Sequence, residues 1–314
     1  VFGYSLSTAT RFFLSLVANF WQVFLLRAVD RIGKGTRDAP RDALLSESVD
    51  QKEVGKSFGY HRTMDTVGGI LGPLAAVLLL PILFYDYRKL FLIGFLAGVA
   101  ALITFVFVKE IKGREEIKNA KPMPLSFSFA NFSGPFKILI ASIFIFGLGV
   151  MPITLTLLKA QSAGFDGAAI PLMYLVYSVS FALFAIPFGK ISDRLGEKKI
   201  MTLGFVAAIF AYLIFALVSG AVGAIAGFVI FGLYGAMTDG VGRALASKLL
   251  RADQLATGQG FFQASIGVSS LLAGAVGGAL WTIFGPAAAF IYGAVMMTAG
   301  LILFISLNAP KSEL

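Results

Sequence analysis

Ten apolar segments follow one another through this 314-residue chain, and they constrain its fold more than any single motif does. They cover residues 1–18, 20–46, 58–83, 89–108, 135–158, 169–190, 201–219, 222–249, 257–283 and 286–307. About 20 apolar residues are needed for a helix to cross the hydrocarbon of a bilayer. Backbone groups in lipid must also be satisfied internally, which leaves only helices and closed barrels. The sequence lacks the period-two alternation of barrel strands. The chain is therefore expected to be an all-α polytopic membrane bundle of about ten transmembrane helices. Composition agrees, with 57% hydrophobic residues, 14% charged residues and a mean hydropathy of +0.84.

A net charge of +9 would suggest nucleic acid in a soluble protein, but here Lys and Arg gather at the segment ends. No nucleic-acid partner is expected; the partner surface is the lipid bilayer. Lys109, Lys112, Arg114, Lys118 and Lys121, then Lys190, Arg194, Lys198 and Lys199, then Lys248 and Arg251 fall on one side if the segments alternate in direction. The other side has Arg88, Lys89 and Lys159, so the first group is read as cytoplasmic. The sequence contains no Cys, which excludes disulfides and thiol chemistry. No metal-ligand cluster, nucleotide loop or nucleophile–base set is present, so neither a cofactor nor an enzymatic activity is expected.

One apolar segment breaks the pattern. On a helix spanning Leu26 to Leu45, the residues Arg27, Asp30, Arg31, Lys34, Arg37, Asp38, Arg41 and Asp42 share a face of roughly 140°. Ions facing lipid are costly, so such a stripe should line a watery cavity. Its five cations against three anions favour an anionic group or an Arg–carboxylate pair linked to a proton. Arg27, Asp30, Arg31 and Lys34 lie deep enough to serve substrate or proton. Arg37, Asp38, Arg41 and Asp42 approach the interface, where mutual neutralisation is the simpler role. On the next segment His61 and Asp65 are one turn apart, with Arg62 beside them. His61 is the only His and the side chain that ordinarily titrates near neutral pH, so the pair is a candidate proton relay. Asp239 and Arg243 form a similar i, i+4 pair after Thr238.

A weak internal repeat relates the two ends of the chain. PRDALLSESV followed by GYHRTMDTVGGILGPLAA resembles GRALASKLL followed by GFFQASIGVSSLLAGAVG, placing Arg41 opposite Arg243 at an offset of 202. Parallel repeats of this kind give two pseudo-symmetric halves. The expected organisation is an N-terminal bundle over 1–108, a cytoplasmic linker over 109–134, a six-helix bundle over 135–308 and a tail over 309–314. By the same offset, the counterpart of Pro135 would lie about 66 residues before Val1, so the sequence is expected to lack two leading helices.

Three stretches resemble the major facilitator superfamily of secondary transporters. GKISDRLGEKK, Gly189 to Lys199, is similar to that family's loop motif between the second and third helices of a half. LLRAVDRIGKG, Leu25 to Gly35, resembles its fourth-helix pattern, although Asp30 and Arg31 stand where Gln and Gly are usual. GGILGP, Gly68 to Pro73, resembles the fifth-helix Gly-Pro motif associated with antiporters, here followed by Ala75 and Ala76 rather than glycines. The resemblance implies helices three to twelve of a twelve-helix, alternating-access transporter. It also implies that Asp239 and Arg243 face Arg27 and Asp30 across the pore. Gly189, Asp193, Arg194 and Gly196 would form a conformational latch, and Arg41, Asp42, Gly72 and Pro73 would belong to a gate.

The expected function is secondary transport of a small molecule in the inner membrane of a prokaryote, coupled to H⁺ and operating as a monomer. Export of a drug-like compound by antiport is one reading of the substrate, and transport of an organic anion by the Arg/Lys stripe is another. A non-transporting sensor or scaffold with a transporter fold is the reading from a different class.

Overall fold

The computed structural model describes residues 2–84, 86–104, 129–165 and 170–307. Most of the expected linker and the 309–314 tail lie outside these residues. The described residues form helices and three short 3-10 turns, without strands. The helices are α1 (Phe2–Leu14), α2 (Phe20–Glu47), α3 (Val54–Ile82), α4 (Tyr87–Thr104), α5 (Gly134–Gly147), α6 (Ile153–Ser162), α7 (Ile170–Leu195), α8 (Glu197–Leu217), α9 (Gly220–Lys248), α10 (Leu255–Phe284) and α11 (Pro286–Ile305). Six stretches, at α4 and at α7 to α11, are long and apolar enough to cross a membrane by length and composition. The all-helical membrane bundle expected from the sequence is the fold observed.

The chain divides into two compact units, Val1–Leu44 with Gly68–Pro122, and Leu45–Val67 with Met123–Leu314. In the first unit α1 packs on α4. Phe12 and Phe95 meet with ring centroids 5.2 Å apart, and the face of Gly98 is filled by Thr8 and Arg11. The Arg11 guanidinium donates to the Gly94 carbonyl at 3.4 Å, which gives this intramembrane cation a partner on α4. The start of α2 is fixed by a reciprocal cap: Gln22 N–H donates to Asn19 Oδ1, and Gln22 Oε1 accepts from Ala18 N–H.

The second unit is built around α9, which packs against α7 and α8, with α11 against α5 and α8. Its core is aromatic: Phe136, Tyr212, Phe215, Phe228, Phe290 and Phe304 are all fully buried. The sequence predicts a single helix over 135–158, but the structure breaks it into α5 and α6 between Gly147 and Ile153. Pro152 cannot donate a backbone hydrogen bond, so the break leaves polar groups inside the bundle that need outside partners. Tyr212 on α8 supplies one, its hydroxyl accepting from Met151 N–H at 2.8 Å. Met151 and Pro152 also fill the faces of Gly277 and Gly274 on α10, so the break is held from two sides.

Candidate functional site

The stretch expected as a loop motif is mostly helix. Gly189 to Leu195 complete α7, Gly196 turns the chain at φ +94°, a conformation glycine adopts readily, and Glu197 opens α8. Helix-end electrostatics explain the charges here. Glu197 lies in the first turn of α8 and pairs at 2.6 Å with Lys248 in the last turn of α9, each charge at the terminus whose dipole favours it. Lys198, expected to be only a topology anchor, donates to the Ile305 carbonyl at the end of α11.

Asp193 has no cation as its principal partner. Its carboxylate accepts from the backbone N–H groups of Gly55 and Lys56, 2.7 Å each, in the first turn of α3. These N–H groups have no acceptor within their own helix, so Asp193 caps α3 from another element and sits at its positive end. The approach depends on missing side chains: a Cβ on Gly189 would strike the Gly55 backbone, and one on Gly59 would strike Ala185 and Ile186. Gly240 on α9 closes the other side, its face within 3.1 Å of Phe58 and Gly59 backbone atoms. Nearby, Lys56 pairs with Glu53 at 2.7 Å, and that hydrogen bond and charge hold the exposed Glu53 carboxyl below its ordinary range.

Two turns further along α3, about 10 Å by helical rise, lies the charged cluster. Asp239 Oδ2 accepts from Nε of Arg62 at 2.6 Å and also from its Nη2, while Asp239 Oδ1 accepts from Arg243 Nε at 3.4 Å. Arg62 also reaches Asp65 at 3.2 Å, and His61 Nδ1 lies 3.7 Å from the same carboxylate. Arg243 is buried, and Gln263 on α10, with its amide oxygen turned to the guanidinium, accepts from both Arg243 Nη atoms. One turn earlier on α10, Gln259 donates to the Arg243 carbonyl at 3.0 Å and to Ser247 Oγ at 2.8 Å. The cluster therefore joins α3, α9 and α10, and Thr63 adds α7 by donating to the Ala182 carbonyl.

Of the residues expected from sequence, His61, Asp65, Asp239 and Arg243 are brought into this one cluster. The central partner of Asp239 is Arg62, which the sequence marked only as a neighbour of His61, and Gln259 and Gln263 carried no signal because neutral amides are unremarkable in a polar helix face. On α2, Arg41 pairs locally with Asp38 at 3.6 Å and with the fully buried Asp42 at 3.1 Å. Asp30 is half-buried on the same helix. Arg27, Arg31 and Lys34 are placed on α2 and Pro73 on α3, but their side chains lie outside the described residues. Arg194 is exposed at the end of α7. A Cβ on Gly68, Gly69 or Gly72 would meet no described atom within 4 Å, whereas Gly55 and Gly59 stand in close approach to α7. Among the described residues no group of His, Asp or Glu is arranged to hold a metal ion.

An all-helical bundle with six helices long and apolar enough to cross a membrane defines a polytopic membrane protein. The family model described as the Major Facilitator Superfamily matches residues 1–170 and again 138–314, and the chain belongs to that superfamily. An uncharacterized MFS-type transporter of Methanocaldococcus jannaschii is 34% identical over 320 residues, covering 96% of this chain and 76% of that protein. The multidrug resistance protein MdtG of Salmonella arizonae is 27% identical over 207 residues, covering 62% of this chain and 49% of its own length. Among solved structures, the E. coli fucose:proton symporter FucP superposes with a TM-score of 0.79 at 14% identity, over 98% of this chain and 82% of that one. The human organic anion transporter MFSD10 gives 0.76 at 13%, over 96% and 75%. These structural likenesses show the fold. Members of the superfamily are membrane transporters and are not, in general, enzymes.

Proposed function

We propose that the chain forms the main part of a proton-coupled secondary transporter that moves a small molecule by alternating access. The observation that carries this reading is the Arg62–Asp239–Arg243 cluster, in which one carboxylate ties α3 to α9. Neutralising one partner of a largely buried ion pair is destabilising, because it leaves the other charge uncompensated. Protonation of a carboxylate is therefore a natural trigger for separating these helices. Asp239, Asp65 and His61 are the candidate proton acceptors, and Asp193 with Gly55, Gly59, Gly189 and Gly240 forms the latch above them.

The basic turns and the 109–134 linker are assigned to the cytoplasmic side of a prokaryotic cell membrane, and the protein acts as a monomer. Within this reading, Arg27, Asp30, Arg31 and Lys34 line the pathway on the first bundle. Export of a drug-like compound is supported by the likeness to MdtG and by the Gly-Pro stretch. Transport of an organic anion is favoured by the two guanidiniums that converge on Asp239. Reconstituted protein under an imposed pH gradient tests the whole reading: a panel containing ethidium and fluorescein should include a compound whose flux follows the gradient. Asp239→Asn should abolish that dependence. Tight binding with no flux would instead favour a sensor.

A further inference from the structure

Two exposed stripes finish at the turn on Gly196. On α7 the exposed residues Leu172, Val179, Leu183, Pro187, Lys190 and Arg194 recur at helical spacing and so share one face. On α8 the exposed residues Lys199, Leu203, Phe210 and Leu217 do the same. Because α7 ends and α8 begins at this turn, both stripes are apolar along the span and cationic at the same end of the bundle. The other cations of this end already have partners: Lys248 pairs with Glu197, Lys56 with Glu53, and Lys198 donates to the Ile305 carbonyl. Among the described residues no carboxylate pairs with Lys190, Arg194 or Lys199. Lys190 and Arg194 are one turn apart, a spacing at which like charges repel. Helix-end cations also set the direction of a span, but that role needs no particular face of the helix. Here both α7 cations continue the exposed apolar stripe, so their counter-charge has to arrive where apolar and polar surroundings meet.

We propose that Lys190, Arg194 and Lys199 bind the headgroup phosphate of an anionic phospholipid whose acyl chains lie along the exposed stripes of α7 and α8. The forked guanidinium of Arg194 is suited to two phosphate oxygens, and the two ammonium groups act as point charges beside it. The phosphate relieves the repulsion between Lys190 and Arg194, while Leu183, Pro187 and Leu203 cover the first part of the chains, so headgroup and tails are recognised together. A zwitterionic lipid brings its own cation and is held less tightly. Arg194 directly follows Asp193, whose carboxylate caps α3, so a lipid held here steadies the end of α7 that carries the cap. Lipid binding of this kind needs neither a particular substrate nor a coupling ion.

The test is native mass spectrometry with thermal melting of the purified full chain in detergent, using dioleoylphosphatidylglycerol, dioleoylphosphatidylcholine and water-soluble glycerol phosphate as probes. Phosphatidylglycerol should bind about tenfold more tightly than phosphatidylcholine and raise the melting temperature. Glycerol phosphate, which lacks the chains, should do neither. A variant carrying Lys190→Gln, Arg194→Gln and Lys199→Gln should lose the preference for the anionic lipid. A second variant carrying Lys52→Gln, Arg88→Gln and Lys89→Gln gives up the same charge at other exposed positions and should keep it. Melting without lipid confirms that both variants fold. Equal binding of the two lipids by the unmodified protein overturns the proposal, as does an equal loss of preference in both variants, which would mean general attraction to a basic protein. Glycerol phosphate binding as tightly as phosphatidylglycerol overturns it too, because the stripes would then contribute nothing.

Discussion

The carboxylate of Asp193 and the backbone N–H of Gly55 lie 2.7 Å apart although 138 positions separate them in the chain. The contact needs two bare glycines, because any side chain on Gly55 or Gly189 would hold the two backbones apart. It makes the start of α3 dependent on the end of α7 for one of its caps. Asp193→Ala should therefore cost about 1–2 kcal/mol, the usual loss for a missing helix cap. Asp193→Asn should cost less, since one oxygen remains to accept. Thermal melting in detergent measures both, and equal melting of the two variants with the parent would show that the cap contributes nothing.

Two glycines on α3 give opposite expectations. Gly59→Ala places a Cβ 3.2 Å from the Ala185 carbonyl carbon and should loosen α3 from α7. Gly69→Ala meets open space among the described residues and should be neutral or stabilising by up to about 1 kcal/mol, the helix-propensity gain. Because the sequence has no Cys, a single Lys56→Cys reporter can be labelled cleanly. Maleimide labelling of that reporter should rise with Gly59→Ala and stay unchanged with Gly69→Ala.

Arg62 and Asp239 should show energetic coupling. Their side chains are 22% and 25% exposed, so the pair is neither fully screened nor fully buried. A double-mutant cycle with Arg62→Gln and Asp239→Asn is expected to return about 1–3 kcal/mol of interaction. Additive single effects would mean that the contact does not hold α3 to α9.

Tyr212→Phe removes the acceptor for Met151 N–H at the break between α5 and α6 and leaves that donor unpaired in a buried site. A loss of about 1–3 kcal/mol is expected, larger than for a surface Tyr. Comparing melting of this variant with Tyr60→Phe, at an exposed position, checks the difference.

The break itself had a visible signal in Gly147, Gly149 and Pro152, yet the 135–158 run reads as one span because its hydropathy is continuous. What decides the matter is whether Tyr212 and the α10 glycines are present to satisfy and fill the gap, and hydropathy carries no information about neighbours. The contact of Asp193 with α3 shows a similar limit. Asp193 stood out in the sequence, but its partners are backbone N–H groups, and every non-proline residue has one. Arg62 was legible only as a cation beside His61, because Asp239 lies 177 positions away and either could have paired within its own helix.

By itself the sequence determined that this chain is a helical membrane bundle, since span-length apolar runs permit little else. It also located the charged helices, because intramembrane charges are costly enough to be conspicuous. Only the tertiary structure decided which charges meet and which glycines serve close approach. Gly55, Gly59 and Gly240 face backbone while Gly68, Gly69 and Gly72 face open space among the described residues. Pairing is a property of distance between helices, and local sequence sets the face of a helix but not what stands opposite it.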